Sequence, residues 1–405
     1  MAKPDSSPRT LLKALARSQR DHQLLVEKVG RTSARLERRK IKLLALESRI
    51  ADLERRTAEP EDQRVGQGDA GGARQHAQLI FNPASGRDDE DNAQRLAQVV
   101  KSLRIHGIQA HIGLKTSGKT ARSLARKAVR AGHELVIVAA GDGTIGEVAS
   151  ELCGSSTVLG IVPIGTMNNV ARSVGVPLDI AAACSLIAMG TTRQIDVGRV
   201  LSNDRRDDRY FLEGAGVGLS ALAILAGKSG ERRHWRAIPK AFQKFFESKP
   251  GAMHVQMDDI VVDASSTIVT VSNAPLMGRN LLIAPDAKMD DGFLDVALYD
   301  GMGKGALTRH FLAASRGSSD PVKTYRARRV RIAAEESVLT HADEDVTRES
   351  NVIEIEIVPK ALRMIVGNGI GLTVPVAAAP SAPTFAVPPP HKNGAAAGLP
   401  EPEPV

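Results

Sequence analysis

Three short turns rich in Gly, Asn, Ser and Thr carry the residue types that bind phosphate. They read FNPASGR at 81–87, GDGT at 141–144 and PIGTMNNVAR at 163–172, and each lies at the end of a short apolar run. Glycine lets the backbone approach a phosphate closely, and a helix N-terminus offers unpaired N–H groups and the positive end of a dipole. One such turn alone is typical of an ordinary helix cap. Three of them at successive strand ends predict a polyphosphate site.

Two other phosphate-binding patterns are not supported. No stretch matches the P-loop pattern GxxxxGKS or GxxxxGKT. The stretch GAGVG at 214–218 imitates a dinucleotide fingerprint, but it lies in a strand-rich half of the chain. No acidic residue ends a following strand at the required distance. We therefore interpret GAGVG as a site of close packing or a tight turn.

The elements that must position the three turns change character once along the chain. Residues 76–190 alternate strand-like runs such as ELVIVAAG with helix-like runs such as TARSLARKAVRAG. This alternation predicts an open α/β sheet with right-handed crossovers, whose ligands bind beyond the carboxyl ends of the strands. From about residue 194 the segments are mostly strand-like, which predicts an antiparallel β domain with one helical insert around 224–248.

The two ends of the chain differ from this globular part in composition. Residues 1–57 hold 15 Lys and Arg against 7 Asp and Glu, and Leu36, Leu43 and Ile50 are seven residues apart. The spacing is typical of a helical hairpin or short coiled coil, and a solvated charged helix fits equally well. The basic arm could pair two chains into a homo-oligomer or rest on an anionic membrane surface, and no motif accompanies it that would indicate specific nucleic-acid binding.

These observations divide the chain into five predicted segments. In order they are a basic helical arm (1–57), a polar Gly-rich linker (58–76), an α/β nucleotide-binding domain (77–192), a β-rich domain (193–373) and a Pro/Ala-rich tail predicted to be disordered (374–405).

Bulk composition limits the classes of function. Among 405 residues, 42% are hydrophobic and only 3% aromatic, which argues against a stacking platform for single-stranded nucleic acid. The two cysteines, Cys153 and Cys184, are far apart, as expected for buried thiols in a reducing compartment. No apolar run approaches the ~20 residues needed to span a bilayer, and the first residues lack the apolar core of a signal peptide. We expect a cytoplasmic protein, with peripheral contact to the inner membrane face left open.

The motifs resemble those of the diacylglycerol kinase catalytic family, which includes bacterial lipid kinases, diacylglycerol kinases, sphingosine kinases and ceramide kinases. The resemblance covers about residues 78–372 and extends to FLEGAGVGLSA at 211–221 and LIAPDAKMDDGFLDVAL at 282–298. It implies transfer of the γ-phosphate of ATP, with Mg²⁺, to a lipid hydroxyl. The acceptor could be diacylglycerol, a sphingoid base, a ceramide or an undecaprenol-like alcohol.

The resemblance also implies roles for individual residues. The residues implied in ATP binding are Asn82, Thr116, Gly141, Asp142, Gly143, Thr144, Thr166 and Asn168. The implied catalytic carboxylates are Asp142, Asp343 and Asp345. A structural magnesium loop is implied at Lys288, Asp291 and Phe293, the first and last through backbone carbonyls.

The sequence departs from the family's pattern at three places. Ala140 stands where the family usually has glycine, and Asn169 stands where it usually has aspartate, which removes a charge near the site. In HADEDV, Glu344 replaces the glycine of the usual Asp-Gly-Glu turn, so that Asp343 and Asp345 take the places of its two acids. We expect a carboxylate to be available there, one methylene shorter than usual at Asp345.

Two alternatives are kept beside the lipid kinase. An NAD kinase-like enzyme shares the Gly-Asp-Gly turn, although NPASGR and APDAKMDDGFLDV argue against it. A catalytically weakened kinase fold that serves as a lipid-sensing scaffold would account for the three departures. His341, next to the implied acids, is interpreted as a turn residue rather than a catalytic one.

Overall fold

The structure is a computed structural model of the chain. It describes residues 48, 77–86, 92–116, 118–201, 208–218, 251–266, 268–278, 281–317, 322–343 and 345–367, without the side chains of 345–349. The predicted helical arm, linker, helical insert at 224–248 and disordered tail lie outside the described residues, apart from residue 48.

The first half of the described chain alternates strands and helices as the sequence predicts. The elements are β1 (Ala77–Phe81), α1 (Asn92–Ile105), β2 (Ala110–Leu114), α2 (Ala121–Arg130), β3 (Leu135–Ala140), α3 (Asp142–Leu152), β4 (Val158–Pro163), α4 (Asn169–Ser173) and α5 (Ile180–Met189). The four strands are parallel in the order β2-β1-β3-β4. Every residue of β3 and β4 is buried, because helices cover both faces of a parallel sheet.

The second half is built mainly from antiparallel strands. They are β5 (Thr191–Leu201), β6 (Arg209–Phe211), β7 (Gly214–Gly218), β8 (Gly251–Met257), β9 (Ile260–Ser266), β10 (Ile268–Ser272), β11 (Leu276–Met277), β12 (Leu281–Leu282), β13 (Leu294–Leu298), β14 (Lys323–Ala327), β15 (Arg329–Ala342) and β16 (Asp345–Val366), with α6 (Lys304–Ala314) between β13 and β14. The α/β half followed by an antiparallel β half confirms the predicted fold class for these residues.

One strand joins the two halves into a single sheet, which the sequence did not predict. β16 is 22 residues long and pairs with β15 and β5 in antiparallel fashion. Its last residues pair with β4 in parallel, Arg363 opposite Val158 and Met364 opposite Leu159. A register shift between Val358 and Leu362 bends the strand, so that it follows both halves of a 14-stranded sheet.

The GAGVG stretch is a buried strand, β7, between β10 and β15. A Cβ on Gly216 would lie 2.3 Å from the carbonyl oxygen of Val269, so only glycine lets these two backbones approach so closely. Of the two interpretations made from the sequence, close packing is therefore correct and the tight turn is wrong.

None of the helices in the described part of the chain is long and apolar enough to cross a membrane.

Candidate active site

The first turn is tied to the second through Asn82, which directly follows β1. Its backbone N–H donates to the carbonyl oxygen of Ala139 in β3, 3.1 Å away. Its Nδ2 donates to Oγ1 of Thr144 at 2.8 Å, and its Oδ1 accepts the N–H of Ala84 at 3.0 Å. Asn82 is buried, so these bonds hold the NPASG loop against the start of α3.

The second turn is the N-terminus of α3, an 11-residue helix that begins at Asp142. Gly141 caps the helix with an extended backbone, and Asp142, Gly143 and Thr144 form its first turn. Ala140, the first departure from the family pattern, is a fully buried residue of β3. The unpaired N–H groups of a helix N-terminus, expected here from the sequence, are therefore directed to the strand-end side of the sheet.

The third turn packs directly on the second. A Cβ on Gly165 would lie 2.4 Å from the Cα of Gly141, so the two loops touch backbone to backbone. Asn168 has a left-handed backbone with φ of 56°, and its side chain accepts from the N–H of Gly165 and donates to its carbonyl oxygen. Asparagine is among the few residues that tolerate this conformation. Thr166 is exposed at the tip of the loop.

Asp142 lies where the second and third turns meet. Its Oδ1 accepts the N–H of Val170 at 3.1 Å. Burial raises the pKa of Asp142 above its ordinary value, and backbone N–H groups of Val170, Asn169 and Asn168 oppose that rise. A buried carboxylate that stays close to a helix terminus is suited to work with a cation or a proton.

The β half contributes Asp343, which follows β15 with a φ of 47°. Its Oδ2 accepts the N–H of Leu212 at 2.8 Å, and its Oδ1 accepts those of Glu213 and Gly214 at 2.8 and 3.2 Å. Burial, with a smaller contribution from the charge of Asp142, raises the pKa of Asp343 to about 7. The carboxylate of Asp343 therefore holds the turn between β6 and β7 through three hydrogen bonds, and it lies close enough to Asp142 for the two charges to interact.

Asp345 and His341 flank this turn. Asp345 begins β16 opposite Ala342, and its side chain lies outside the described residues. His341 is a fully buried residue of β15 opposite Gly216, so its interpretation as a turn residue is wrong. Burial lowers the pKa of His341 to about 4, which keeps the imidazole neutral in the folded protein.

Glu213 is a third carboxylate at the same place, buried like Asp142, and the sequence reasoning missed it. Its Oε2 accepts Nδ2 of Asn169 at 2.9 Å and the N–H of Gly278 at 3.0 Å. Burial raises the pKa of Glu213 well above its ordinary value, and the charges of Asp142 and Asp343 add to the effect. The available signal was a glutamate inside an otherwise apolar and glycine-rich run, FLEGAGVG.

Lys115 was also missed, although it follows β2 at the same edge of the sheet. Its Nζ lies 3.3 Å from Oγ1 of Thr144 and 2.5 Å from Oε1 of Glu147. Thr116, the neighbour that the resemblance implied, instead accepts the N–H of Lys119 on its Oγ1 in the loop before α2. The position of Lys115 at a strand end was the signal that could have found it.

The implied magnesium loop, between β12 and β13, is braced by protein groups. Oδ1 of Asp291 accepts the N–H of Phe293 at 3.1 Å, and Oδ2 pairs with the guanidinium of Arg326. The carbon of that guanidinium lies 4.6 Å from the centroid of the Phe293 ring. Both oxygens of Asp291 are thus engaged, and among the described residues no three His, Cys, Asp or Glu side chains form a metal-binding group. Each oxygen of Asp291 has one protein partner and keeps a second lone pair, so the magnesium loop, which also uses two backbone carbonyls, stays a prediction.

Comparisons with known proteins show which families the two halves of the chain match. A family model for the diacylglycerol kinase catalytic domain matches residues 76–200, and a model for the YegS C-terminal NAD kinase beta sandwich-like domain matches residues 228–366. The diacylglycerol kinase of Bacillus subtilis (strain 168) is 28% identical over 279 residues, 66% of this chain and 88% of that protein. The diacylglycerol kinase of Mycobacterium tuberculosis (strain ATCC 25618 / H37Rv) is 28% identical over 298 residues, 71% of this chain and 93% of that protein.

A solved structure shows the same fold. The crystal structure of a diacylglycerol kinase from Bacillus anthracis str. Sterne superposes with a TM-score of 0.60 at 24% identity, and the match covers 74% of this chain and 99% of that one. The domain matches, the relatives and the site together define a lipid kinase. The chain belongs to the diacylglycerol kinase-type family of lipid kinases.

Proposed function

We propose that this enzyme transfers the γ-phosphate of ATP, with Mg²⁺, to the hydroxyl of a lipid such as diacylglycerol or a sphingoid or ceramide-type lipid. The observation that carries the proposal is the position of Asp142. It stands where two Gly-rich strand-end loops touch, and its charge reaches Asp343 of the β half. Phosphoryl transfer asks mainly for positioning and charge neutralisation, which this arrangement supplies.

The phosphates of ATP belong at the N-terminus of α3. The residues proposed to hold them are Asn82, Thr116, Gly141, Asp142, Gly143, Thr144, Thr166 and Asn168. Lys115 joins this set, since its ammonium group lies beside Thr144 and can approach an anion there. Thr116 acts through the loop that it closes with Lys119, which positions Lys115.

The Mg²⁺ of the nucleotide is proposed to lie beside Asp142, and the loop at Lys288, Asp291 and Phe293 stays the proposed place of a separate structural magnesium. The charge of Asp142 raises the pKa of both Glu213 and Asp343, and the charge of Asp343 also raises that of Glu213. Within the described chain, none of the three carboxylates forms an ion pair with a Lys, Arg or His. A divalent cation next to Asp142 would relieve this repulsion and neutralise charge on the transferred phosphate. At the loop, Asp291 also forms an ion pair with Arg326.

A carboxylate of the β half is proposed to accept the proton of the lipid hydroxyl. Both oxygens of Asp343 accept backbone N–H groups, which suits a positioning residue. We therefore assign the general base to Asp345, at the start of the adjoining strand. Asp142 faces this turn and works on the phosphate side of the reaction.

The names of the relatives and the chemistry of a lipid acceptor support a proposal for the acceptor and the place of action. Because the two bacterial relatives are named diacylglycerol kinases, diacylglycerol is the first acceptor to test. A lipid acceptor requires contact with a membrane surface, which we propose to be the anionic inner face, through the basic segment 1–57. The same segment is proposed to pair two chains.

One assay tests the proposed activity. Purified protein is incubated with radiolabelled ATP, Mg²⁺ and a panel of diacylglycerol, sphingosine, ceramide and undecaprenol in mixed micelles, with NAD as a control acceptor. We expect labelled lipid that requires Mg²⁺ and disappears in Asp142→Asn. Label in NAD alone, or in no lipid of the panel, would reject the proposal.

A further inference from the structure

Asn169 and Glu213 form one hydrogen bond across the two halves of the protein. Asn169 is the first residue of α4 and is 1% exposed, and Glu213 lies between β6 and β7 and is 2% exposed. Nδ2 of Asn169 donates to Oε2 of Glu213 at 2.9 Å. The position that lacks the usual carboxylate is thus in direct contact with a carboxylate that comes from elsewhere in the chain.

The backbone of Gly278 fixes the orientation of the Asn169 amide, so that its NH₂ group faces the Glu213 carboxylate. Nδ2 of Asn169 also donates to the carbonyl oxygen of Gly278 at 2.7 Å, and the N–H of Gly278 donates to Oε2 of Glu213 at 3.0 Å. A carboxylate at position 169 would face both this carbonyl oxygen and Glu213, which is repulsive at these distances. An amide at 169 is therefore the partner that a carboxylate at 213 requires.

The pair leaves acceptor oxygens inside the site. Oδ1 of Asn169 is buried and has no hydrogen-bond partner among the residues that the structure describes. Within the same described residues, both hydrogen bonds to the Glu213 carboxylate reach Oε2. A buried acceptor without a donor is costly, so its retention indicates a ligand with donors, such as water on a bound cation.

We propose that Glu213 is a positioning residue that supplies, from the β half, the negative charge that Asn169 lacks, and that the two residues together orient the hydrated magnesium of the nucleotide. The third turn then has a negative charge beside it although Asn169 stands where the family usually has aspartate. This proposal rests on the proposed use of Mg²⁺ and ATP and does not depend on which lipid accepts the phosphate.

The test is a charge exchange within the pair. Three variants are compared with wild type: Glu213→Gln, Asn169→Asp, and the double variant Asn169→Asp/Glu213→Gln. The first readout is binding of ATP by calorimetry with and without Mg²⁺, and the second is the thermal midpoint with Mg²⁺ and ATP. Glu336→Gln, an exposed residue of β15, is the matched control for loss of one carboxylate.

We expect Glu213→Gln to lose about tenfold in the Mg²⁺-dependent part of ATP affinity and to unfold no earlier than wild type, because it removes a buried charge. The double variant should recover part of that loss, since the exchanged pair restores one carboxylate and one hydrogen bond between the two positions, while the carboxylate at 169 still faces the carbonyl oxygen of Gly278. Equal affinity in Glu213→Gln and wild type, or a double variant no better than Glu213→Gln, would overturn the proposal.

These results separate two failures. If wild type binds ATP with Mg²⁺ and the exchange restores binding, but no lipid in the panel is phosphorylated, the acceptor is wrong and the role of Glu213 stands. If lipid is phosphorylated and the exchange restores nothing, the proposed function stands and the role of Glu213 is rejected.

Discussion

The carboxylate of Asp142 begins one helix and caps the next, because its Oδ1 accepts the backbone N–H of Val170 at 3.1 Å. The charge of the same side chain raises the pKa of Asp343 in the other half of the protein. A single buried acid therefore links the start of α3, the start of α4 and the β6–β7 turn.

Replacing Asp142 with Asn should abolish most activity without unfolding the protein. The amide keeps one oxygen to accept from Val170, but it removes the charge, so we expect turnover to fall by roughly a hundredfold or more. Turnover with the accepted lipid and the thermal midpoint are measured together. Asp259→Asn, an exposed residue between β8 and β9, should leave both unchanged. Near-normal turnover in Asp142→Asn would show that the site has been assigned wrongly.

Gly165→Ala should separate the two Gly-rich loops. Its Cβ would lie 2.4 Å from the Cα of Gly141, so one backbone must move, at a cost of about 1–3 kcal/mol. We expect the KM for ATP to rise more than kcat falls. Gly305→Ala in α6 is the matched control, because nothing lies within 4 Å of its Cβ and alanine favours a helix. If both variants behave alike, loop contact does not shape the nucleotide site.

Replacing Asp343 should mainly lower stability, whereas replacing Asp345 should mainly lower kcat. An amide at 343 cannot accept from all three N–H groups, so Asp343→Asn should lose about 1–3 kcal/mol of unfolding free energy. Asp345→Asn should lower kcat by roughly a hundredfold at an unchanged thermal midpoint, as expected of a general base. Denaturant titration and initial rates give both numbers. The reverse pattern would transfer the role of base to Asp343.

The sequence predicted the order of elements and the three turns because each depends on local signals. Aliphatic runs specify β3 and β4, and glycine, asparagine and aspartate mark the loops that follow strands. The three turns lie at one edge of the sheet because the carboxyl ends of parallel strands are all at that edge. The joining of both halves through β16 could not be predicted, because it depends on a bend near Pro359 and Lys360 that pairs residues far apart in sequence.

Glu213 and Lys115 could not be predicted as site residues for the same physical reason. Glu213 and Lys115 act through contacts with Asn169 and Thr144, which lie 44 and 29 residues away in the chain. A glutamate in an apolar run and a lysine after a strand have many ordinary explanations when seen singly. Only the fold shows that Glu213 lies within hydrogen-bond distance of Asn169.

Stability should fall in mild acid because of His341. Its pKa is lowered from 6.5 to about 4 by burial, so between these values the unfolded chain binds a proton that the folded protein cannot. The contribution is present above pH 6.5 and is lost as pH falls toward 4, by about 3 kcal/mol in total. Asp343, with a pKa raised to about 7, has the opposite sign, since its contribution is present below 3.8 and lost as pH rises through 7.

Comparison with His341→Gln isolates the histidine from Asp343. The unfolding free energy of wild type minus that of the variant should shrink steadily from pH 6.5 to 4, while the Asp343 contribution cancels. Urea titrations at intervals across this range measure it. A difference that stays constant over the whole range would contradict a buried neutral imidazole.

Lys115→Met should weaken ATP binding while leaving the chemical step largely intact. The ammonium group lies 3.3 Å from Thr144 Oγ1 at the proposed phosphate site, and methionine keeps most of the apolar stem without the charge. We expect the KM for ATP to rise about tenfold with a smaller change in kcat, and the difference from wild type to narrow in high salt. Lys119→Met, an exposed lysine in the same loop, is the control. A KM for ATP that changes equally in the two variants would mean that Lys115 serves Glu147 and the loop rather than the nucleotide.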